Sequence, residues 1–289
     1  MIEAVDLLPS KVLRGAVECL AGKGNPNAQR DAEVMLAHVL SVAPSHLPLI
    51  NESMSIADYQ VFQHMIERRL TNEPVAYITG RQSFWTGEFI VDEHTLIPRP
   101  DTETLVEVGA LALKGINDGQ VLDIGTGSGC VLLSILSEAE SSTGVGIDVS
   151  EGALAIAAQN ADENNLNART RFILGDMFEP FNGEKLQKAD LIVSNPPYIP
   201  TQDIDDLMDD VRDYEPLSAL DGGADGYDFY RRIANESALY LKIGGILAVE
   251  VGFDQAQTVR ALFEAVGFKD ILINQDLNGI DRVVSGKNS

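Results

Sequence analysis

The tetrapeptide Asn195-Pro196-Pro197-Tyr198 ends the apolar run "DLIVS" and has residue types that can do chemistry together. Two prolines donate no backbone hydrogen bonds and hold φ near about −65°, so a strand cannot continue through them as an ordinary ladder member. The chain must leave its sheet there, stiffly, with carbonyls exposed. Asn195 then offers an amide oxygen and Pro196 a backbone carbonyl, two rigid acceptors suited to a planar NH₂ group with two N–H donors on one atom. Such a nitrogen is a poor nucleophile because its lone pair is delocalised. Holding both hydrogens out of plane localises that pair and aims it at an electrophile, which is catalysis by positioning rather than by acid or base. Pro197 completes the rigid exit. Tyr198 is expected to wall the pocket, its ring face tolerating nearby positive charge. As a bare sequence, the same tetrapeptide is also a good turn.

A second constellation lies upstream, in "VLDIGTGSGC", Val121 to Cys130. Glycines at 125, 127 and 129, interleaved with Thr126 and Ser128 and preceded by Asp123, sit between a predicted strand and a predicted helix. Glycine there lets a ligand approach the backbone and leaves the helix's first amides available to it. The next predicted strand ends in Asp148, 19 residues beyond Gly129. A carboxylate so placed can accept hydrogen bonds from both hydroxyls of a ribose. A dinucleotide site uses the same two parts, but its fingerprint requires glycine where this chain has Cys130.

The elements that must position these groups are legible from periodicity. Residues 8 to 71 read as three or more amphipathic helices, in "KVLRGAVECLAG", "DAEVMLAHVLSV" and "DYQVFQHMIERRL". "SFWTGEFIVD" alternates around Thr86-Gly87 and predicts a short hairpin. In "IPRPDTE", Asp101 or Thr102 is expected to cap the following helix. Strand and helix patterns then alternate, which predicts a parallel sheet covered by helices on both faces. "DILINQDLNGIDRVVSG" ends the chain with two apolar runs and no helix between them, so an antiparallel pair is expected. The expected organisation is a helical domain over 1–80, a hairpin linker over 81–98 and an α/β domain over 99–289.

Composition narrows the function classes. The net charge is −23, and residues 91 to 289 carry −20 of it. Nucleic-acid affinity comes largely from Lys and Arg displacing counterions, so a duplex partner is disfavoured. Cys19 and Cys130 are the two cysteines, far apart, and the four histidines show no metal-ligand spacing; no disulfide and no metal are expected. The first residues lack a basic start followed by an apolar block, and no uncharged apolar run is long enough to span a bilayer. A cytoplasmic protein with no membrane partner is expected, acting as a monomer.

The glycine loop with Asp123 and Asp148 resembles the first motifs of Rossmann-like, class I S-adenosylmethionine-dependent methyltransferases. That resemblance implies a mostly parallel sheet with an antiparallel C-terminal strand. It also implies that Asp123 and Gly125 to Gly129 hold the methionine part of S-adenosylmethionine and that Asp148 takes the ribose. It places Asp176 and Met177 of "LGDMF" beside the adenine, with Met177 packing on the ring; from pattern alone Met177 reads equally as core. "NPPY" resembles the [DNS]-P-P-[YFW] signature of amino-methyltransferases, which act on adenine in nucleic acids or on glutamine amides in proteins, and there Asn195 also borders the cofactor.

The match then extends over nearly the whole chain. "EPVAYITGRQSFWTGEFIVD", "TLIPRPDTE", "SNPPYIP", "YEPLSALDGGADGYDFYRRI" and "GGILAVEVGFDQ" are similar to the bacterial release factor glutamine methyltransferases, the HemK/PrmC family. The resemblance implies methylation of the glutamine in the Gly-Gly-Gln motif of peptide chain release factors, with S-adenosylhomocysteine as co-product and the N-terminal helices as a second contact with the substrate protein. "ALDGGADG" favours this family over its sister that methylates a large-subunit ribosomal protein. A nucleic-acid adenine methyltransferase and a non-catalytic cofactor-binding module are the alternatives from other classes. "DIDDLMDDVRDYE", Asp203 to Glu215, carries seven acids and is expected either to rim the substrate cleft or to be a solvated surface.

Overall fold

The computed structural model describes residues 7–181 and 187–289; the first six residues of the expected N-terminal domain lie outside them. The chain divides into two compact units, one of residues 1–80 together with Asp209–Tyr214, the other of Arg81–Met208 and Glu215–Ser289.

The three amphipathic patterns form α1 (Pro9–Gly22), α2 (Ala28–Val39) and α3 (Ile56–Arg69), followed by the short α4 (Val75–Thr79). Pro9 opens α1, where a missing N–H costs nothing, and the Ser55 hydroxyl caps α3 by accepting from the Asp58 amide at 3.0 Å. Their apolar faces meet in a core around Leu20, Met35, Leu36 and Phe62. Arg69 donates to Asp31 at 2.7 Å, a mostly buried pair tying α3 to α2.

The second unit begins with a hairpin, β1 (Arg81–Phe84) and β2 (Gly87–Ile90), whose two-residue loop is Trp85-Thr86. Trp85 is held at a positive φ of 54° by two carboxylates, Glu103 accepting from its amide and Glu138 from its indole N–H. Sequence reading treats 81–98 as a linker; here Phe84 and Phe89 are buried in the same core as Leu105, Leu132 and Leu136, so the hairpin is part of the sheet unit. The apolar residues of "SFWTGEFI" need a core to bury against, and this unit supplies it.

α5 (Glu103–Leu113), β3 (Gln120–Ile124), α6 (Cys130–Glu138), β4 (Thr143–Asp148), α7 (Glu151–Glu163), β5 (Thr170–Leu174) and β6 (Ala189–Ser194) follow. The chain then forms α8 (Asp209–Arg212), which belongs to the helical unit, and returns through α9 (Asp228–Tyr240), β7 (Leu241–Glu250), α10 (Ala256–Ala265), β8 (Lys269–Gln275) and β9 (Asp281–Lys287). The seven-stranded sheet has the order β5-β4-β3-β6-β7-β9-β8. All pairings are parallel except those of β9, which runs antiparallel to both its neighbours. Leu191, Ile192, Val193, Leu247, Ala248 and Val249 are fully buried, as strands covered on both faces must be. The order reverses between β4 and β6 around β3, so β3, β4 and β6 deliver their carboxyl ends to the crevice where open α/β sheets bind ligands.

Candidate active site

The glycine loop leaves β3 and enters α6 with φ of 71°, 54° and 78° at Gly125, Gly127 and Gly129. Each of these conformations disfavours a side chain. A Cβ at Gly125 or Gly127 would meet no protein atom within 4 Å, so neighbouring residues do not account for the missing side chains. The loop is fastened from both ends. Gly125 and Thr126 amides donate to the Ile147 carbonyl of β4 at 2.9 Å, and the Gly127 amide donates to Asp148 Oδ2 at 2.9 Å. Asp148 Oδ1 accepts from the Ser150 amide at 3.0 Å, which leaves each oxygen further lone-pair capacity.

Asp123 lies buried beneath the loop, accepting from the Thr126 hydroxyl at 2.7 Å. Burial pushes its carboxyl up to about 7; the Thr126 bond opposes that shift and the charge of Asp148 adds to it. Asp148 is raised too, chiefly by desolvation, against the pull of its backbone donors. The two carboxylates border one cavity of about 620 Å³, a volume suited to a nucleoside carrying an amino-acid side arm.

Its wall brings together Asp123, Gly125, Thr126, Gly127, Ser128, Asp148, Asp176, Met177, Asn195, Pro196 and Pro197. Gly129 and Tyr198 stand outside that lining. Gly129 is the N-terminal cap residue of α6, where a Cβ would press on Ala157 and Leu133 at 3.3 Å. The Tyr198 ring is half-buried against the core, and desolvation with the charge of Glu250 pushes its hydroxyl up to about 12. Met177 is both wall and core: it is 5 % exposed and holds a φ of 53°. Asp176 is bonded by Arg232 of α9 at 2.9 Å.

The exit from β6 is clamped by "ALDGGADG". Ile199 donates to the Leu220 carbonyl at 3.1 Å and accepts from the Gly222 amide at 2.8 Å, a one-residue parallel bridge beside the tetrapeptide. A Cβ on Gly222 would lie 2.7 Å from the Tyr198 Cα, and one on Gly226 2.5 Å from the Tyr198 carbonyl oxygen. Those glycines are demanded by backbone packing. Gln255 closes the clamp: its Nε2 donates to the Tyr198 carbonyl at 3.0 Å, while its Oε1 accepts from the Gly252 amide at 3.0 Å.

Sequence reasoning missed several contributors. Asn160 of α7 is fully buried and donates through Nδ2 to Ser128 and Ile90 carbonyls, joining the glycine loop to the hairpin. Its signal was a polar residue on the inward face of "ALAIAAQNADE". His94 lines the cavity against α7, where Gly152 leaves room for the ring. Thr102, expected as a helix cap, has helical backbone angles and makes no capping bond; its hydroxyl accepts from Asn195 Nδ2 at 3.3 Å. Glu215, the last acid of the expected rim, is buried and bonds Arg99 and, at 3.3 Å, the Ile97 amide.

Comparison with known proteins agrees with this architecture. A family described as PrmC N-terminal domain matches residues 11–80, and one described as methyltransferase domain matches residues 117–266. A release factor glutamine methyltransferase of Geobacter sulfurreducens is 41% identical over 278 residues, 96% of this chain and 95% of its own length. The chain belongs to the release factor glutamine methyltransferase family. A member from Rhodospirillum rubrum is 42% identical over 91% of this chain and 79% of its own length. Among solved structures, the catalytic domain of hMettl16, in complex with MAT2A 3'UTR hairpin 6, superposes with a TM-score of 0.58 over 88% of this chain and 92% of that one, at 12% identity. That similarity is one of fold.

Proposed function

We propose that the protein methylates the side-chain amide nitrogen of the glutamine in the Gly-Gly-Gln motif of peptide chain release factors, using S-adenosylmethionine. The observation that carries this reading is the juxtaposition of Asn195-Pro196 with the glycine loop and Asp148 on one cavity, in a chain whose relatives are named for that activity along almost their full length. The residues present fit the cofactor. Positive-φ glycines facing open space offer bare backbone to its methionine part, Asp148 keeps acceptor capacity for ribose hydroxyls, and Met177 and Asp176 border the remaining wall.

When bound, S-adenosylmethionine supplies an activated methyl group and is left as S-adenosylhomocysteine. Asn195 Oδ1 and the Pro196 carbonyl accept the two N–H groups of the glutamine amide, turning its nitrogen lone pair toward the methyl group. No strong base is required. The methylated nitrogen is cationic and acidic, and its proton passes to solvent. Tyr198 supports the acceptors from the core side through a carbonyl held by Gln255, and Pro197 keeps the segment stiff.

An adenine presents the same NH₂ group, but a net charge of −23 opposes the approach of a phosphate backbone. Incubation with labelled S-adenosylmethionine and a purified release factor, followed by mass spectrometry, should place the label on the Gly-Gly-Gln glutamine. Label on DNA alone would overturn the reading. Asn195→Ala should lower turnover about a hundredfold to a thousandfold, the scale of one lost oxyanion-hole-type contact, with cofactor binding mostly intact by calorimetry.

A further inference from the structure

His94 lines the cofactor cavity and takes no part in the mechanism above. Two fastenings set its place. Asn160 of α7 accepts from the Ile90 amide at 2.7 Å and donates to the Ile90 carbonyl at 3.0 Å, which ties the chain leaving β2 to that helix. Residues 92–95 then form a tight turn. The His94 amide donates to Asp92 Oδ1 at 3.0 Å, the Thr95 amide donates to the Asp92 carbonyl at 3.0 Å, and Thr95 is buried. The turn lays the His94 side chain on Gly152, about two helical turns before Asn160. A Cβ at Gly152 would lie 2.5 Å from His94 Cδ2 and 2.9 Å from its Cβ, so the imidazole occupies the space the glycine leaves. Asp148, Val149 and Ser150, just ahead of Gly152, border the same cavity, and the ring therefore stands at its Asp148 end.

We infer that His94 is a cofactor-binding residue whose imidazole N–H donates to a ribose hydroxyl of S-adenosylmethionine. The inference rests on the ribose-binding role proposed for Asp148. A hydroxyl has one proton to give and lone pairs to satisfy, and a carboxylate can only accept. Asp148 therefore takes the hydroxyl protons and leaves the hydroxyl oxygens in need of donors. The backbone amides nearest to hand are committed, since those of Gly127 and Ser150 both donate to Asp148 itself. His94 is exposed, and among the described residues its ring nitrogens have no hydrogen-bond partner. An imidazole carries at least one N–H whether neutral or protonated, so the donor is present in either state. The acceptor from β4 and the donor from the turn after β2 thus complement the two halves of a hydroxyl group.

The test is calorimetric affinity for S-adenosylhomocysteine and for its 2′-deoxy and 3′-deoxy analogues. It compares wild type with His94→Ala, His94→Gln, His94→Phe, Gly152→Ala and the double variant His94→Ala/Gly152→Ala, with Asp148→Ala alongside. His94→Ala should weaken S-adenosylhomocysteine about threefold to tenfold, the range of one hydrogen bond. It should weaken one of the two deoxy analogues less than about twofold, because the accepting hydroxyl is gone from that ligand. His94→Gln keeps an N–H donor and should recover part of the loss, whereas His94→Phe keeps a ring without the donor and should not. Gly152→Ala favours the helix but displaces the imidazole, so it should cost as much affinity as His94→Ala, and the double variant should lose no more than either. An S-adenosylhomocysteine affinity within about twofold of wild type in His94→Ala, less than a typical hydrogen bond, overturns the inference. So does an equal loss for all three ligands, a His94→Phe variant that binds as wild type, or a double variant in which the two losses add. If Asp148→Ala loses affinity while His94→Ala does not, only the inference falls; if Asp148→Ala binds as wild type, the ribose-binding role and the inference fall together.

Discussion

Asp123 and Gly127 show how much of the site is decided by single residues. A carboxyl whose pKa is raised in the folded state binds its proton more tightly there. Asp123 therefore contributes stability that is full below about pH 4 and is lost as pH rises through its folded value of about 7. Asp123→Asn, neutral throughout, should gain on wild type across that window, its Tm relative to wild type rising by roughly 5 °C in scans at fixed salt. A flat difference would mean that Asp123 is not held protonated by burial. Gly127 has a φ of 54°, so Gly127→Ala carries left-handed strain of about 1–2 kcal/mol. It also moves the amide that Asp148 holds. Calorimetry should find affinity for S-adenosylmethionine reduced by tenfold or more with kcat at saturation less affected. At this scale the sequence was informative wherever residue type forces backbone geometry, as in the three glycines and two prolines. It was silent about Thr102, because a threonine before a helix reads as a cap, and only the approach of β6 reveals that its hydroxyl turns to Asn195 instead.

At the scale of elements, the tetrapeptide depends on a segment far from it in sequence. Gly222 and Gly226 let "ALDGGADG" lie against the backbone of Tyr198, and Gln255 at the start of α10 ties both strands of that contact. Gly222→Ala forces a Cβ to 2.7 Å from the Tyr198 Cα, and backbone cannot yield as a flexible side chain does. The exit from β6 must shift. Turnover should fall about a hundredfold, as for small displacements of reacting groups, while circular dichroism and cofactor binding change little; unchanged turnover would show that the clamp does not set the acceptors. The alternation of strand and helix was readable from period alone, as was the terminal antiparallel pair. The insertion of β9 between β7 and β8 was not, because local pattern carries no strand order. The hairpin at 81–90 was recognisable as a hairpin, yet its aromatic residues gave no sign of which core they would enter.

For the molecule as a whole, the charge of −23 has a consequence for association. If the release factor docks through a basic surface, its KM should rise with ionic strength between 0.05 and 0.5 M, roughly across the range where the Debye length contracts below about 10 Å, whereas the KM for S-adenosylmethionine should not. Replacing Asp205, Asp206, Asp209 and Asp210 with Asn should weaken use of the intact release factor more than of a short Gly-Gly-Gln peptide, and equal effects would make that segment a solvated surface. Arg212 is already engaged by Asp209 and Asp213, so the segment's positive charge is spent within itself. The two-unit organisation was visible in the shift of texture near residue 80, but not the return of Asp209–Tyr214 to the helical unit, where the Tyr214 hydroxyl donates to the Thr71 carbonyl at 2.7 Å. That return makes the N-terminal unit discontinuous, and it orders events during synthesis. The ribosome must deliver β3 to β6 before the last piece of the helical unit emerges, so a fragment ending at Gly80 is a part of that unit, and the nascent helices wait unfinished while most of the sheet is being made.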